Sequence, residues 1–230
     1  MKTRWKITGT LTTTSPLHIG NGDTTPFMHA SLMDAAVPSE VQSVVKDISG
    51  KPCIPGTALK GVLRSWAERM LLPKDNNNSI LQGYQQYENP IRRIFGDRDV
   101  TTPKAESGWA VFCTAAVPDP MATLPRQFSE HVPYWNGASW TGILSHVCID
   151  RSTGAAAHNK LYFEEFVPEG IAFDVEIDAT RLTRAEIQLL LAILETGSSH
   201  PSHPFQLGAN SADGWGRMNW KRTDVSKCDS

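Results

Sequence analysis

The chain has little net charge: 22 basic and 24 acidic residues among 230 leave a formal value of −2. That excludes a protein that coats nucleic acid with a uniformly basic surface, though not one with a local basic path. Long apolar runs are missing, so no membrane span is expected. The first residues, MKTRWKITGT, lack the apolar core of a secretory signal, and a cytoplasmic protein is expected. Four cysteines (Cys53, Cys113, Cys148, Cys228) lie far apart with no CxxC pair. A zinc knuckle of local spacing is thereby excluded, and free thiols in a reducing compartment are expected. Familiar catalytic loops are absent too. Gly56 to Gly61 suggests a Walker A loop, but Val62 and Leu63 stand where Lys and Ser/Thr are required. Gly20-Asn21-Gly22 lacks the third glycine of a dinucleotide fingerprint, and no GxSxG elbow occurs.

What charge there is lies unevenly. Residues 1–70 hold eight bases against five acids, whereas Glu164 to Asp178 holds six acids and no base. Arg217 to Lys227 then has four bases against one acid, so both ends of the chain are basic. Length favours one compact domain with large loops.

Hydrophobic periodicity supplies the elements. Trp5, Ile7, Gly9, Leu11 and Thr13 alternate with polar residues, the period of a half-buried strand. After SPLHIGNGD (15–23), an irregular stretch runs to Gly50. Leu59, Val62, Leu63, Trp66 and Met70 predict a helix following IPG (54–56), with Thr57 as N-cap. Residues 73–90 read as a polar surface insertion and 91–95 as a short helix. Trp109 to Ala115 reads as a strand, and 118–141, broken by four prolines, as an exposed excursion. Strands are predicted at 146–150, 162–167 and 171–177. In the last, Ile171, Phe173, Val175 and Ile177 alternate with Asp174, Glu176 and Asp178, so a solvated strand face explains the acidic run better than a metal site. A second helix is capped by Thr183 with Glu186 in the capping-box position and ended by Gly197. A strand then follows a glycine-rich turn, LGANSADGWGRMNW (207–220). The order strand, helix, strands, helix, strand predicts an α+β, ferredoxin-like (RRM-like) core with long insertions.

Several residues offer chemistry. His200 and His203 form an HxxH, but Pro201 and Pro204 keep both rings from one helical face, so an exposed loop is expected. His18, beside two glycines, fits either an acid or base acting on RNA or a hydrogen-bonded support for the turn; Asn21 in the same turn is a candidate RNA contact. The helix after IPG presents free amides and a positive dipole end, with Lys60 and Arg64 on its first turns. Glycines 208 to 216, ending in Arg217, permit close backbone approach to an extended ligand. Together these favour a track for single-stranded nucleic acid.

SPLHIGNGD (15–23), PCIPGTALKGVLRS (52–65), IFGD (94–97), CIDRSTGAAAHNKLYFEEFVPEG (148–170) and LGANSADGWGRM (207–218) resemble the RAMP superfamily of CRISPR-associated proteins, most closely the backbone subunits of type III effector complexes. The resemblance implies a single domain over 1–230 with insertions at 23–51, 73–90 and 118–141. It implies a cytoplasmic ribonucleoprotein in which copies of the chain and other effector subunits line a guide RNA that recognises target RNA. Lys60, Arg64, Gly208, Gly214, Gly216 and Arg217 map onto guide-phosphate contacts. Residues 145–167 resemble a thumb-like β-hairpin that wedges into the guide–target duplex, with Arg151 and Lys160 facing phosphates and Ile149 or Leu161 apolar contact. Cleaving relatives place an aspartate in the loop before the IPG helix, with Mg2+ or another divalent cation. Gln42 stands at that position here, and Asp34 or Glu40 is displaced from it; Asp34 is the catalytic candidate. Asp23 and Asp47 read as turn formers. Alternatives are a metal-independent RAMP endoribonuclease that processes precursor guide RNA with His18, or a stand-alone RNA-binding module.

Overall fold

A computed structural model describes residues 3–27, 39–71, 90–96, 109–118 and 127–229. The alternating N-terminal segment forms β1 (Thr3–Thr13), with Ile7, Leu11 and Thr13 buried. It lies between two antiparallel neighbours, β10 (Met218–Asp229) and β9 (Ala172–Thr180). On the far side of β9 come β5 (Trp109–Phe112) and β6 (Ala115–Ala116), and β6 pairs with β4 (Cys53–Ile54). The main order β10-β1-β9-β5/β6, with one helix after the first strand and one after β9, is the ferredoxin-like arrangement that the element order predicts.

The two long helices are α1 (Gly56–Leu71), with Leu59, Leu63, Trp66 and Ala67 buried, and α4 (Arg184–Ser199), with Ile187, Leu190, Leu191, Ile193 and Leu194 buried. Their apolar stripes share one core with the inward residues of β1 and β9. Thr183 and Glu186 form the full capping box at α4, as predicted. Glu186 also receives Arg93 at 2.7 Å, which ties in the short α2 (Pro90–Phe95). Two predicted termini move. Thr57 is not the N-cap, because α1 begins at Gly56 and the Pro55 carbonyl accepts the N–H groups of Ala58 and Leu59. A Cβ at Gly56 would come 1.9 Å from the Phe112 carbonyl oxygen, so only glycine lets the helix start against β5. Gly197 does not end α4, which runs on to Ser199; the glycine instead leaves room for Phe205, 2.9 Å from where its Cβ would lie.

The opposite face of this sheet is polar. Arg4 pairs with Asp178 at 3.0 Å and Lys6 with Glu176 at 2.8 Å across neighbouring strands, so the alternation of 171–178 does place acids outward.

A second, four-stranded sheet is built from the insertions. Its order is β2 (Gly20–Phe27), β3 (Ser39–Val44), β8 (Ala156–Phe166), β7 (Gly142–Ile149), with only the β3–β8 pair parallel. The stretch expected to be irregular up to Gly50 thus supplies two strands. Asp47 forms the predicted turn, accepting from Ser49 Oγ at 2.6 Å and from the N–H groups of Lys51 and Ser49, and these hydrogen bonds, the Ser49 hydroxyl's above all, hold its carboxyl below the usual range. The excursion at 118–141 is likewise not wholly exposed: it carries α3 (Gln127–His131) and ends in buried Ser139, Trp140 and Thr141. The insertion at 73–90 lies almost wholly outside the described residues.

Glu165 holds the second sheet together. Its carboxylate accepts from Val44 N–H at 3.0 Å, Lys46 Nζ at 2.6 Å and Thr141 Oγ1 at 2.6 Å. Glu164 and Glu165, expected within a solvated acidic run, are 3% and 7% exposed. Composition places such a pair outside; neighbouring donors allow it inside. Glu165→Ala should cost about 3 kcal/mol in urea denaturation, because Lys46 and the Val44 amide lose a buried partner. An unchanged midpoint would show that the pair contributes nothing net.

Candidate functional site

The two glycine-rich segments, nearly 200 residues apart in the chain, are laced together. Ala209 N–H donates to the His18 carbonyl and Gly216 N–H to Pro16, both at 2.8 Å. Thr14 N–H donates to Arg217 O at 2.9 Å, and Arg217 N–H to Ser15 Oγ at 2.9 Å. The loop reaches this position through left-handed backbone at Gly208, Asn210, Gly214 and Gly216. At two of these glycines close approach adds to the conformational demand. A Cβ would lie 2.0 Å from His18 O at Gly208, and 1.9 Å from Leu207 O at Gly216. Gly214 has open space where its Cβ would be.

An open cleft of about 570 Å³ adjoins this seam, lined by His18, Gly20, Asp23, Thr24, Gln42 and Gly208 among others. His18 is 5% exposed, and its Nδ1 lies 2.7 Å from the Glu165 carbonyl oxygen. Since a carbonyl only accepts, Nδ1 carries the proton. The other ring nitrogen faces Gly20, where a Cβ would approach Nε2 to 2.8 Å. The support role read from the sequence therefore describes His18 well, while its edge still lines the cleft. Glu164 lies on the same side, 3.5 Å from His18 Nδ1 and 3.3 Å from His146 Nε2, and accepts from Asn210 Nδ2 at 2.7 Å. A buried carboxylate on β8 thus holds the glycine-rich loop through Asn210, a role that sequence reasoning missed. Its strand position between hydrophobic neighbours Phe163 and Phe166 was the available signal.

The remaining candidates fall elsewhere. Asn21 lies at the irregular start of β2, where its Oδ1 accepts from Asp23 N–H at 3.0 Å and its Nδ2 donates to the Asp23 carboxylate; Asp23, expected to form a turn, is therefore part of the strand. Arg64 is engaged by Glu68 at 2.7 Å and the Gly96 carbonyl at 2.9 Å. Burial and the neighbouring Arg64 charge push the Lys60 ammonium below its usual pKa, a cation better satisfied by an incoming anion. Arg151 is exposed in the turn that joins β7 to β8; Lys160 lies in β8. These strands are the predicted hairpin at 145–167, paired from Gly142↔Phe166 outward, with Val147, Ile149, Leu161 and Tyr162 exposed. Gln42 and Glu40 lie on β3, where Glu40 accepts from Thr24, and Asp34 lies outside the described residues.

Cys113, Glu176 and Asp178 bring one ligand atom each within 4.8 Å. Lys6 and Arg4 already neutralise both carboxylates, and burial raises the Cys113 thiol, so this group fits a salt-bridged sheet face rather than a cation site. His200 Nδ1 accepts the amides of Ser202 and His203, which makes the HxxH a local turn. Among the described residues no helix is long and apolar enough to cross a membrane.

In comparison with known proteins, the family model described as the RAMP superfamily matches residues 10–219. No curated protein gives a significant match.

The two glycines separate space from conformation. Gly208→Ala should destabilise the protein by about 3 kcal/mol, since a strained φ is joined to a backbone collision. Gly214→Ala, with strain alone, should cost about 1 kcal/mol. Equal losses in chemical denaturation would contradict the lacing described above.

Proposed function

Since the chain belongs to the RAMP superfamily of CRISPR-associated proteins, we propose that it is a guide-RNA-binding backbone subunit of a type III-like effector ribonucleoprotein that recognises complementary target RNA. The observation that carries this reading is the seam between residues 14–18 and 207–217, whose close packing at Gly208 and Gly216 leaves the exposed Gly208–Ala209 backbone and the open space at Gly214 beside an open cleft. Such backbone admits phosphates closely and without reading sequence, the requirement for a protein that holds a guide of any sequence. Lys60 supplies a partly desolvated cation that an RNA phosphate would satisfy.

The β7–β8 hairpin supports the second half of the reading. It carries exposed Val147, Ile149 and Leu161 next to the turn that bears Arg151, an apolar wedge beside a phosphate partner. Along one RNA, neighbouring copies of the chain and other effector subunits repel less because Arg4 and Lys6 are matched by Asp178 and Glu176. Target cleavage is a further part of the proposal, with Asp34 and Mg2+ or another divalent cation at the cut. The processing alternative has less support, because His18 is 5% exposed and commits Nδ1 to a carbonyl.

Full-length protein co-expressed with guide RNA should purify as a ladder of RNA-bound multimers. Lys60→Glu should lower RNA loading by roughly tenfold or more without lowering thermal stability. A monomer free of RNA would overturn the proposal. With the assembled wild type, a labelled complement should be cut at regular intervals only when Mg2+ is present, and Asp34→Ala should leave it intact. Intact target with the wild type would remove cleavage and leave guide binding standing.

A further inference from the structure

The cleft beside the joined loops is built for a different part of a nucleic acid than the phosphate. Among the described residues no lysine or arginine lines it, and the Asp23 carboxylate stands on its wall. Thr24 donates its hydroxyl proton to Glu40 at 3.2 Å, which leaves the threonine oxygen with lone pairs. Negative charge and acceptors disfavour an anion and favour a ligand that donates hydrogen bonds. A volume of about 570 Å³ admits a group the size of a nucleoside.

His18 supplies the best-held acceptor. Its ring is buried, and Nδ1 donates to the Glu165 carbonyl at 2.7 Å. With that one proton on the ring, Nε2 keeps its lone pair, and among the described residues no group bonds to it. Gly20, which also lines the cleft, is what leaves Nε2 uncovered, because a Cβ there would lie 2.8 Å from this nitrogen. The Gly20 backbone lies outside the left-handed region, so its missing side chain matters here for space and not for conformation. The same cleft is bordered by Gly208 and Ala209, so a group against His18 sits next to the backbone assigned to phosphates.

Phosphates in a nucleic acid only accept. Base amines donate, but they differ from base to base, and a site for RNA of any sequence cannot depend on them. The ribose 2′-hydroxyl donates at every nucleotide, and DNA lacks it. We propose that the cleft receives a ribose of the bound RNA, whose 2′-hydroxyl donates to His18 Nε2, so that the protein distinguishes RNA from DNA through the sugar. This rests on the RNA-binding reading and adds to it a sugar contact beside the phosphate contacts.

The test measures binding of the full chain to oligonucleotides short enough for one copy, in two unrelated sequences, with ribose, 2′-deoxyribose or 2′-fluoro sugars. Fluorine keeps the ribose-like pucker but cannot donate. Wild type should bind the ribose form about 3- to 10-fold more tightly than either other form, in both sequences. Gly20→Ala, which covers Nε2 and leaves the Nδ1 bond in place, should lower ribose affinity to that of deoxyribose, with deoxyribose affinity and thermal unfolding unchanged. Equal wild-type affinity for the ribose and 2′-fluoro forms would overturn the hydroxyl contact without any variant and leave RNA binding standing. A full ribose preference in folded Gly20→Ala would overturn the assignment to His18. A preference confined to one sequence would overturn the sugar in favour of a base edge. Wild type that binds none of the three forms would overturn both this inference and the reading beneath it.

Discussion

Two consecutive carboxylates on β8 are the constraint on which the rest of the structure depends. Adjacent strand residues face opposite sides, so Glu164 and Glu165 are buried on opposite faces of the second sheet. Each would carry a heavy desolvation penalty alone. Glu165 offsets it with three donors, two from the end of β3 and beyond, and one from the segment before β7. Glu164 accepts from Asn210, with the His18 and His146 rings alongside it. One carboxylate therefore closes the sheet, and the other attaches the glycine-rich loop to it.

That division explains how a small α+β core acquires a nucleic-acid surface. The ferredoxin-like sheet uses its inner face for packing against α1 and α4 and neutralises its outer face with cross-strand ion pairs. Neither face offers a cradle. The cradle arises where β1 leaves the first sheet, the loop before β10 returns to it, and the insertions stand alongside. The near-zero net charge fits the same design: Asp178 and Glu176 are paired with Arg4 and Lys6, and Glu164 and Glu165 are buried, while Lys60 and exposed Arg151 carry positive charge elsewhere.

The core was legible in the sequence because its signals are local and periodic. The alternation at 171–177 and the Thr183–Glu186 box fix β9 and α4 without tertiary information. Of the second sheet only the β7–β8 hairpin was legible; the β2–β3 half and the buried carboxylates were not, for two physical reasons. GNGDTTPF is polar, exposed and contains Pro26, which an edge strand tolerates but which gives no alternation. Glu164 and Glu165 look like surface charges until their distant donors are known. Gly197 and Gly56 resemble helix punctuation, yet each is fixed by close approach of another segment, Phe205 in one case and Phe112 in the other. The candidate site was half legible: both glycine-rich segments stood out, but not that their backbones are bonded to each other. The contacts of His146 with Tyr162 and with Trp215 were invisible, since they arise only through strand register and the returning loop.

Hydrogen–deuterium exchange of the full chain, with and without guide RNA, tests the central claim that RNA lies against the joined loops. Protection gained by residues 18–24 and 207–217, with the outer face at 4–6 and 174–178 unchanged, is the predicted result. Protection confined to the outer face of the first sheet, with both loops exchanging as in the free protein, would contradict it.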